Sequence, residues 1–251
     1  MKNPKVIVLR TAGTNCDAET VHAFKLCGAD VDLIHINQLL NKEIDIMNYQ
    51  ILAIPGGFSY GDDVAAGKIL ANEIKYKIIE AISKFVSSRR LIIGICNGFQ
   101  VLVKTGLLPG FDGLDKMEYT TLTSNDSGRF QDEWVYLKKF SSRCIFTKGV
   151  KETIYLPIAH AEGKFITLSK SVLNRLKKED LIVFKYVNNP NGSEESIAGI
   201  CNPGGNILGM MPHPERFLTR YNHPRWTRGR LPEEGDGLSI FRNAVEFAKK
   251  I

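Results

Sequence analysis

The 251-residue chain is 43% hydrophobic and 24% charged, ordinary for a globular protein long enough to bury one large core. Its net charge of +6 is dispersed in short clusters (Lys138-Lys139, Lys177-Lys178, Arg225 to Arg230), which fits solvated surface or an acidic protein partner and disfavours nucleic acid. Five cysteines without a C-x-x-C pair argue against a disulfide framework and a structural zinc site; with no signal peptide and no membrane-length apolar run, the expectation is a cytoplasmic protein.

Val6-Ile7-Val8-Leu9 is an apolar run of strand length, the pattern of a parallel strand covered on both faces. Asn15 is placed to cap a helix from Cys16 to Leu26, with Asp17 and Glu19 in its first turn and Gly28 at its end. Val31 to Ile36 reads as a second strand. A β-α-β start of these lengths implies a parallel sheet with right-handed crossovers. Ile51 to Ile54 is a third strand, ending in Pro55-Gly56-Gly57-Phe58-Ser59-Tyr60-Gly61-Asp62. Adjacent glycines there let backbone N–H groups face a crevice, although a simple tight turn would use them equally well. Lys68 to Ser87 carries Leu70, Ile74, Ile78, Ile82 and Phe85 at helical spacing, a core-facing stripe.

Leu91 to Ile95 is a fourth strand and runs straight into Gly94-Ile95-Cys96-Asn97-Gly98-Phe99-Gln100. Strand, G-x-C-x-G turn and immediate helix form a nucleophile elbow with Cys in place of Ser. The positive end of the following helix points at the sulfur and favours the thiolate. A buried structural cysteine beside a glycine turn is the plain alternative.

Short extended pieces follow from Met117 to Lys139, around the polar stretch Ser124 to Phe130. Ile154 to Ala159 leads to His160-Ala161-Glu162-Gly163, and Ser171 to Glu179 is a short amphipathic helix. Leu181 to Phe184 is a strand, and Asn188 to Ser193 is a dense turn signal. Ile207 to Met211 is a buried strand running into Pro212-His213-Pro214-Glu215-Arg216, and Leu238, Phe241, Val245 and Ala248 mark a closing helix. No internal repeat or linker interrupts residues 1–251, so one domain is expected.

Three strand ends thus offer Gly56-Gly57, Cys96, and His213 with Glu215. The crevice outside the carboxyl ends of a parallel sheet is where ligands bind. Prolines at 212 and 214 predict an extended segment, which would put His213 and Glu215 on one side. Glu215 then orients His213, and His213 activates the Cys96 thiol. Backbone N–H groups of Gly57 and Asn97 are the candidate oxyanion hole. This chemistry suits attack on a carboxamide or ester carbonyl through a thioester.

The elbow GICNGFQ, the loop PGGFSYGD and the terminal PHPER resemble the class I (triad) glutamine amidotransferases. FSYGDD, SGRF, PIAHAEGKF and NPNGSEESIAGICN, in order along nearly the whole chain, resemble the glutaminase components of phosphoribosylformylglycinamidine synthase, of purine biosynthesis. The resemblance implies an α/β fold with a mostly parallel open sheet flanked by helices, of flavodoxin-like architecture. It implies Cys96 as nucleophile, His213 as acid/base and Glu215 as its partner. Gln100, Arg129 and Phe130 would border the glutamine pocket, and His160 with Glu162 would be a hydrogen-bonded pair shaping the site or a partner surface.

It also implies L-glutamine as substrate and, for a partner, a large synthetase subunit; it leaves room for a small third one. No metal or cofactor is expected in this chain. No G-x-x-x-x-G-K-[ST] occurs, so ATP and Mg²⁺ are expected on the partner. Two departures stand out. Many relatives read HGEG where this chain has His160-Ala161-Glu162-Gly163, so a glycine-only backbone angle at position 161 is not required. The stretch Phe217 to Gly235, with His223 and Trp226, is longer than in short bacterial versions and is either a partner-docking surface or a plain basic loop. The competing readings are a cysteine peptidase, another amidotransferase on the same fold, and a silent regulatory homologue. The complete Cys–His–Glu set speaks against the last.

Overall fold

The computed structural model describes residues 3–111, 118–140 and 143–251. Met117, where the extended stretch was expected to begin, lies outside them. The main sheet is built from β1 (Lys5–Arg10), β2 (Asp30–His35), β3 (Ile51–Ile54), β4 (Leu91–Ile95), β6 (Gln131–Lys139), β7 (Thr153–His160), β9 (Ile182–Tyr186), β10 (Ile197–Cys201) and β11 (Ile207–Met210). Across the sheet their order is β2-β1-β3-β4-β11-β10-β9-β6-β7. The first five in that order run parallel; from β11 onward each neighbour is antiparallel. A small ribbon of β5 (Thr120–Thr123) and β8 (Lys164–Thr167) stands apart.

Every residue of β3, β4 and β11 is buried, as expected of strands covered on both faces. Helix α1 (Asp17–Leu26) packs on α7 (Leu238–Ala248), where Phe24 meets Phe241 edge-on at 5.0 Å. Helix α3 (Lys68–Glu73) packs on α5 (Asn97–Lys104). The stripe expected over Lys68 to Ser87 is one continuous helical rod broken by a π turn, Ile74–Ile78, before α4 (Ile79–Ser87). Leu70, Ile74, Ile82 and Phe85 face the core as the spacing predicts. A short α2 (Ile36–Leu40) begins where the second strand was expected to end, because the His35 side chain accepts from Asn37 N and caps it. Helix α6 (Lys170–Lys178) is capped by Ser169.

Asn15 does not cap α1. Cys16 holds the cap position, and the Asn15 side chain instead accepts from the Cys16 thiol at 3.1 Å. Registers Ile54↔Gly94 and Ile95↔Met210 bring β3, β4 and β11 to a common level. Their carboxyl ends therefore deliver Gly56-Gly57, Cys96 and His213 side by side.

Candidate active site

The elbow rests on two close approaches. A Cβ on Gly98 would collide with Ile54 O, and one on Gly94 would strike Gly98 O and the Leu102 side chain. Only glycine lets α5 lie this tightly against β3 and β4. The left-handed backbone falls on Cys96 itself, at φ 51° and ψ −106°. That is strained for a residue with a side chain and marks a position over-determined by its surroundings. Cys96 N donates to Met210 O at 2.8 Å, tying the elbow to β11, and the thiol leans toward Ala159 O at 3.6 Å.

His213 follows β11 and is tied to β7 by its N–H, which donates to Pro157 O at 2.9 Å. The expected extended segment is instead a 3-10 turn over Pro214–Arg216, with Pro214 at its start; proline's fixed φ suits that position. The turn still pairs the two side chains: His213 Nδ1 donates to Glu215 Oε1 at 2.6 Å, and both residues are almost wholly buried. Burial pulls the imidazole pKa down, but the Glu215 carboxylate and the Cys96 sulfur outweigh it, and the net shift is well upward. With Nδ1 committed to Glu215, Nε2 has no hydrogen-bond partner among the described residues and is the nitrogen left for Cys96.

Among the described residues, neither the Gly57 nor the Asn97 amide has a hydrogen-bond acceptor. Gly57 sits at φ +139°, and a Cβ there would come within 2.8 Å of Gly13 O. Phe58 N donates to Gly13 O at 2.9 Å, and Asn15 N and Cys16 N both donate to Gly56 O, at 3.4 and 3.2 Å. The Gly56–Phe58 strand is thus clamped by the loop before α1 while its central N–H stays unused. The Asn97 side chain is a second brace: Oδ1 accepts from Ser59 N at 3.2 Å, and Nδ2 donates to Asp62 Oδ1 at 3.1 Å and Gln100 Oε1 at 3.0 Å.

A small cavity of about 50 Å³ adjoins the thiol, lined by Gly57, Phe58, Asp62, Ala66, Cys96, Gln100 and the Ala159–Glu162 segment. That is well below the ~300 Å³ of a usual small-molecule site. A roomier groove of about 560 Å³ around Leu39, Ile44, Tyr76 and Ile79 touches none of these residues.

Gln100 lies in the wall, its Nε2 donating to Glu162 O at 2.7 Å. Arg129 and Phe130 do not reach the cavity lining. Arg129 is exposed, and Phe130 lies against Phe58 at the rim, their ring centres 6.4 Å apart. His160 and Glu162 are not a pair. His160 Nδ1 faces Asn125 Oδ1 at 3.2 Å, whereas Glu162 Oε2 accepts from Ala66 N at 3.4 Å. Gly163 is obligatory beside that imidazole, because a Cβ would run into its ring. Burial, with the neighbouring His213, lowers the His160 pKa to about 4 and keeps the ring neutral. Ala161 has no positive φ, in line with a side chain being tolerated there.

His223 stacks in a cluster with Trp134, Tyr155 and Phe217 at 5.6 to 5.7 Å, while Trp226 is half exposed against Tyr221. Two neighbours of the Cys–His–Glu set were given no role by the sequence: Cys16, read only as the start of a helix, and Arg216, the last residue of PHPER. Cys16 Sγ, His213 Nδ1 and a Glu215 oxygen lie within 4.8 Å of one another. Arg216 donates to that sulfur at 3.1 Å and Glu215 already takes the Nδ1 proton, so the trio is a hydrogen-bonded cluster.

Residues 3–248 match the CobB/CobQ-like glutamine amidotransferase domain, and the chain belongs to that family. It is 48% identical, over the full length of both chains, to phosphoribosylformylglycinamidine synthase subunit PurQ of Dehalococcoides mccartyi. To the PurQ protein of Archaeoglobus fulgidus it is 42% identical over 98% of each chain. Among solved structures it superposes on a chain of PurLQS from Thermotoga maritima with a TM-score of 0.78, at 31% identity over 98% of this chain and 99% of that one. These likenesses place the chain in the PurQ branch of the glutamine amidotransferases. A second Thermotoga maritima protein, a glutamine amidotransferase, shares the fold at a TM-score of 0.54 and 15% identity, over 90% of this chain and 81% of that one. No helix among the described residues is long and apolar enough to cross a membrane.

Proposed function

We propose that this chain hydrolyses L-glutamine to glutamate and passes the ammonia to an ATP-dependent synthetase subunit, which converts formylglycinamide ribonucleotide to the formylglycinamidine. Cys96 Sγ attacks the carboxamide carbon. The developing oxyanion is received by the N–H groups of Gly57 and Asn97, the two unused donors beside the thiol. His213, protonated and oriented by Glu215, gives its proton to the departing ammonia, leaving a Cys96 thioester. His213 then takes a proton from water as that water attacks, and glutamate leaves with the thiol restored.

The observation that carries this reading is the buried His213–Glu215 pair beside a positive-φ cysteine with two unspent amides. The closed cavity supports low activity in the isolated chain, raised when the synthetase subunit reorganises the Gly56-Gly57 strand. ATP and Mg²⁺ act on that subunit, and this chain needs no metal or cofactor. The reaction belongs to the cytoplasm. The Phe217 to Gly235 stretch, with its half-exposed Trp226, is a surface for the synthetase. Assay of glutamine-dependent against ammonia-dependent synthesis tests the division of labour. Cys96→Ala should abolish only the glutamine-dependent rate; loss of both rates, or of neither, contradicts the reading.

A further inference from the structure

We propose that Cys16 is a positioning residue for both His213 and the oxyanion strand, a role that rests on the triad reading above. Cys16 is 1% exposed, and its sulfur faces His213 Nδ1 at 3.9 Å, behind the imidazole edge that Glu215 holds. It is fixed from two further sides, accepting from Arg216 Nη2 at 3.1 Å and donating to Asn15 Oδ1 at 3.1 Å. The backbone of the same residue grips the other half of the site. Cys16 N donates to Gly56 O at 3.2 Å, one residue before the oxyanion amide of Gly57.

Gly56 shows how tightly the three parts meet. A Cβ built there would lie 2.8 Å from His213 Cε1, 3.1 Å from Cys16 Sγ and 3.4 Å from Cys96 Cβ. Imidazole, nucleophile and Cys16 thus converge on one point with no spare room. Cys16 O also accepts from Thr20 Oγ1 at 2.7 Å, anchoring the residue to the first turn of α1. A shift of Cys16 therefore reaches the imidazole through the sulfur and Gly57 through Gly56 O.

The charged and titratable groups around His213 are Glu215 and Arg216 on its own turn, Cys96 at the elbow, His160 at the end of β7 and Cys16; Glu19 of α1 lies beyond Arg216. The sulfur of Cys16 helps hold the imidazolium, so its removal weakens the proton's grip on His213.

The test compares Cys16→Ala and Cys16→Ser in the full chain, measuring glutaminase kcat and KM across pH. Cys16→Ala should lower kcat about 10-fold, the scale of a misplacement of a fraction of an ångström, with KM unchanged. The alkaline limb of the profile, where His213 loses its proton, should move to lower pH. Cys16→Ser keeps a group that can bond Arg216 and Asn15 and should recover part of both effects; it decides the matter if the alanine variant does not fold. Unchanged kcat in these variants, or a loss with an unmoved profile and no recovery in serine, overturns the proposal. Cys96→Ala separates the two readings. Activity surviving there removes the triad and this role together; activity lost there but intact in Cys16→Ala removes only the role of Cys16.

Discussion

Gly56→Ala puts one methyl group into the point where His213, Cys16 and Cys96 meet. Gly56 is not among the positive-φ residues, so alanine meets no backbone strain and the effect is purely local packing. The added Cβ would sit 2.8 Å from His213 Cε1, about 0.6 Å inside ordinary contact distance. The ring cannot recoil freely, because Glu215 holds Nδ1 at 2.6 Å and the His213 N–H is bonded to Pro157 O at 2.9 Å. The imidazole must therefore move by about half an ångström, or the strand carrying Gly57 must. Either shift should lower kcat roughly 10-fold, about 1.4 kcal/mol of transition-state stabilisation. Overpacking costs about 1–3 kcal/mol of stability, or roughly 2–4 °C in Tm per kcal/mol for a chain of this size. Gly149→Ala is the matched control: its φ of +69° strains an alanine, yet nothing lies within 4 Å of the added Cβ. It should lose comparable stability and no activity. Glutamate release and thermal melts on both variants check this. Full kcat in Gly56→Ala, or an equal kcat loss in Gly149→Ala, refutes the argument.

A glutamine-like electrophile should label Cys96 alone at neutral pH. Burial pushes the Cys27 thiol to about 11, and a hydrogen bond with Cys144 together with burial pushes Cys201 up, so peptide mapping should find neither modified. Asn97→Ala removes three hydrogen bonds and strands the buried Gln100 carbonyl; it should cost about 2–3 kcal/mol in denaturant unfolding and reduce kcat through the loosened turn at Ser59. Lys104 is 7% exposed, and its Nζ has no hydrogen-bond partner among the described residues; burial, the largest influence, lowers its pKa. Lys104→Met should therefore raise Tm at neutral pH, and a lowered Tm would mean that its charge is compensated after all. His160 stays neutral in the fold down to about pH 4. Below its ordinary pKa of ~6.5 the unfolded chain takes a proton that the fold refuses, so stability falls as pH drops from there toward 4, by up to roughly 3 kcal/mol. His160→Gln should flatten that slope in pH-dependent melts.

The parts of the site that were legible in the sequence are those whose requirements are local. Gly94 and Gly98 are dictated by contacts across a single strand-to-helix turn, so G-x-C-x-G announces the elbow by itself. Ile51 to Ile54, Leu91 to Ile95 and Ile207 to Met211 read as buried strands because burial on both faces leaves no polar alternation. The pairing of His213 with Glu215 was legible even though its local geometry was not: the two-residue spacing brings them together in a 3-10 turn as it would in a strand. The antiparallel half of the sheet was read only in part, with β9 as a strand, β6 among short extended pieces and β10 not at all, since register between β9, β6 and β7 depends on partners distant in the chain. The same reason hid Asn125 behind His160, 35 residues away, and Cys16 behind His213, 197 residues away.

That division has a mechanical consequence. The proposed catalytic residues follow the carboxyl ends of β3, β4 and β11, whose mutual register is held by buried ladders and resists small perturbations. The position of Gly57 depends also on the loop before α1, through Gly13 O and the Asn15 and Cys16 amides, and the Cys16 sulfur of that loop abuts the His213 ring that Glu215 holds. Both described hydrogen bonds of Gly56 O come from that loop, while Asn97 braces the following turn through Ser59 N. A partner that moved this loop would therefore retune the oxyanion donor and the acid/base together while leaving Cys96 in place. Activation would then appear in kcat, with the strained φ of the nucleophile unchanged.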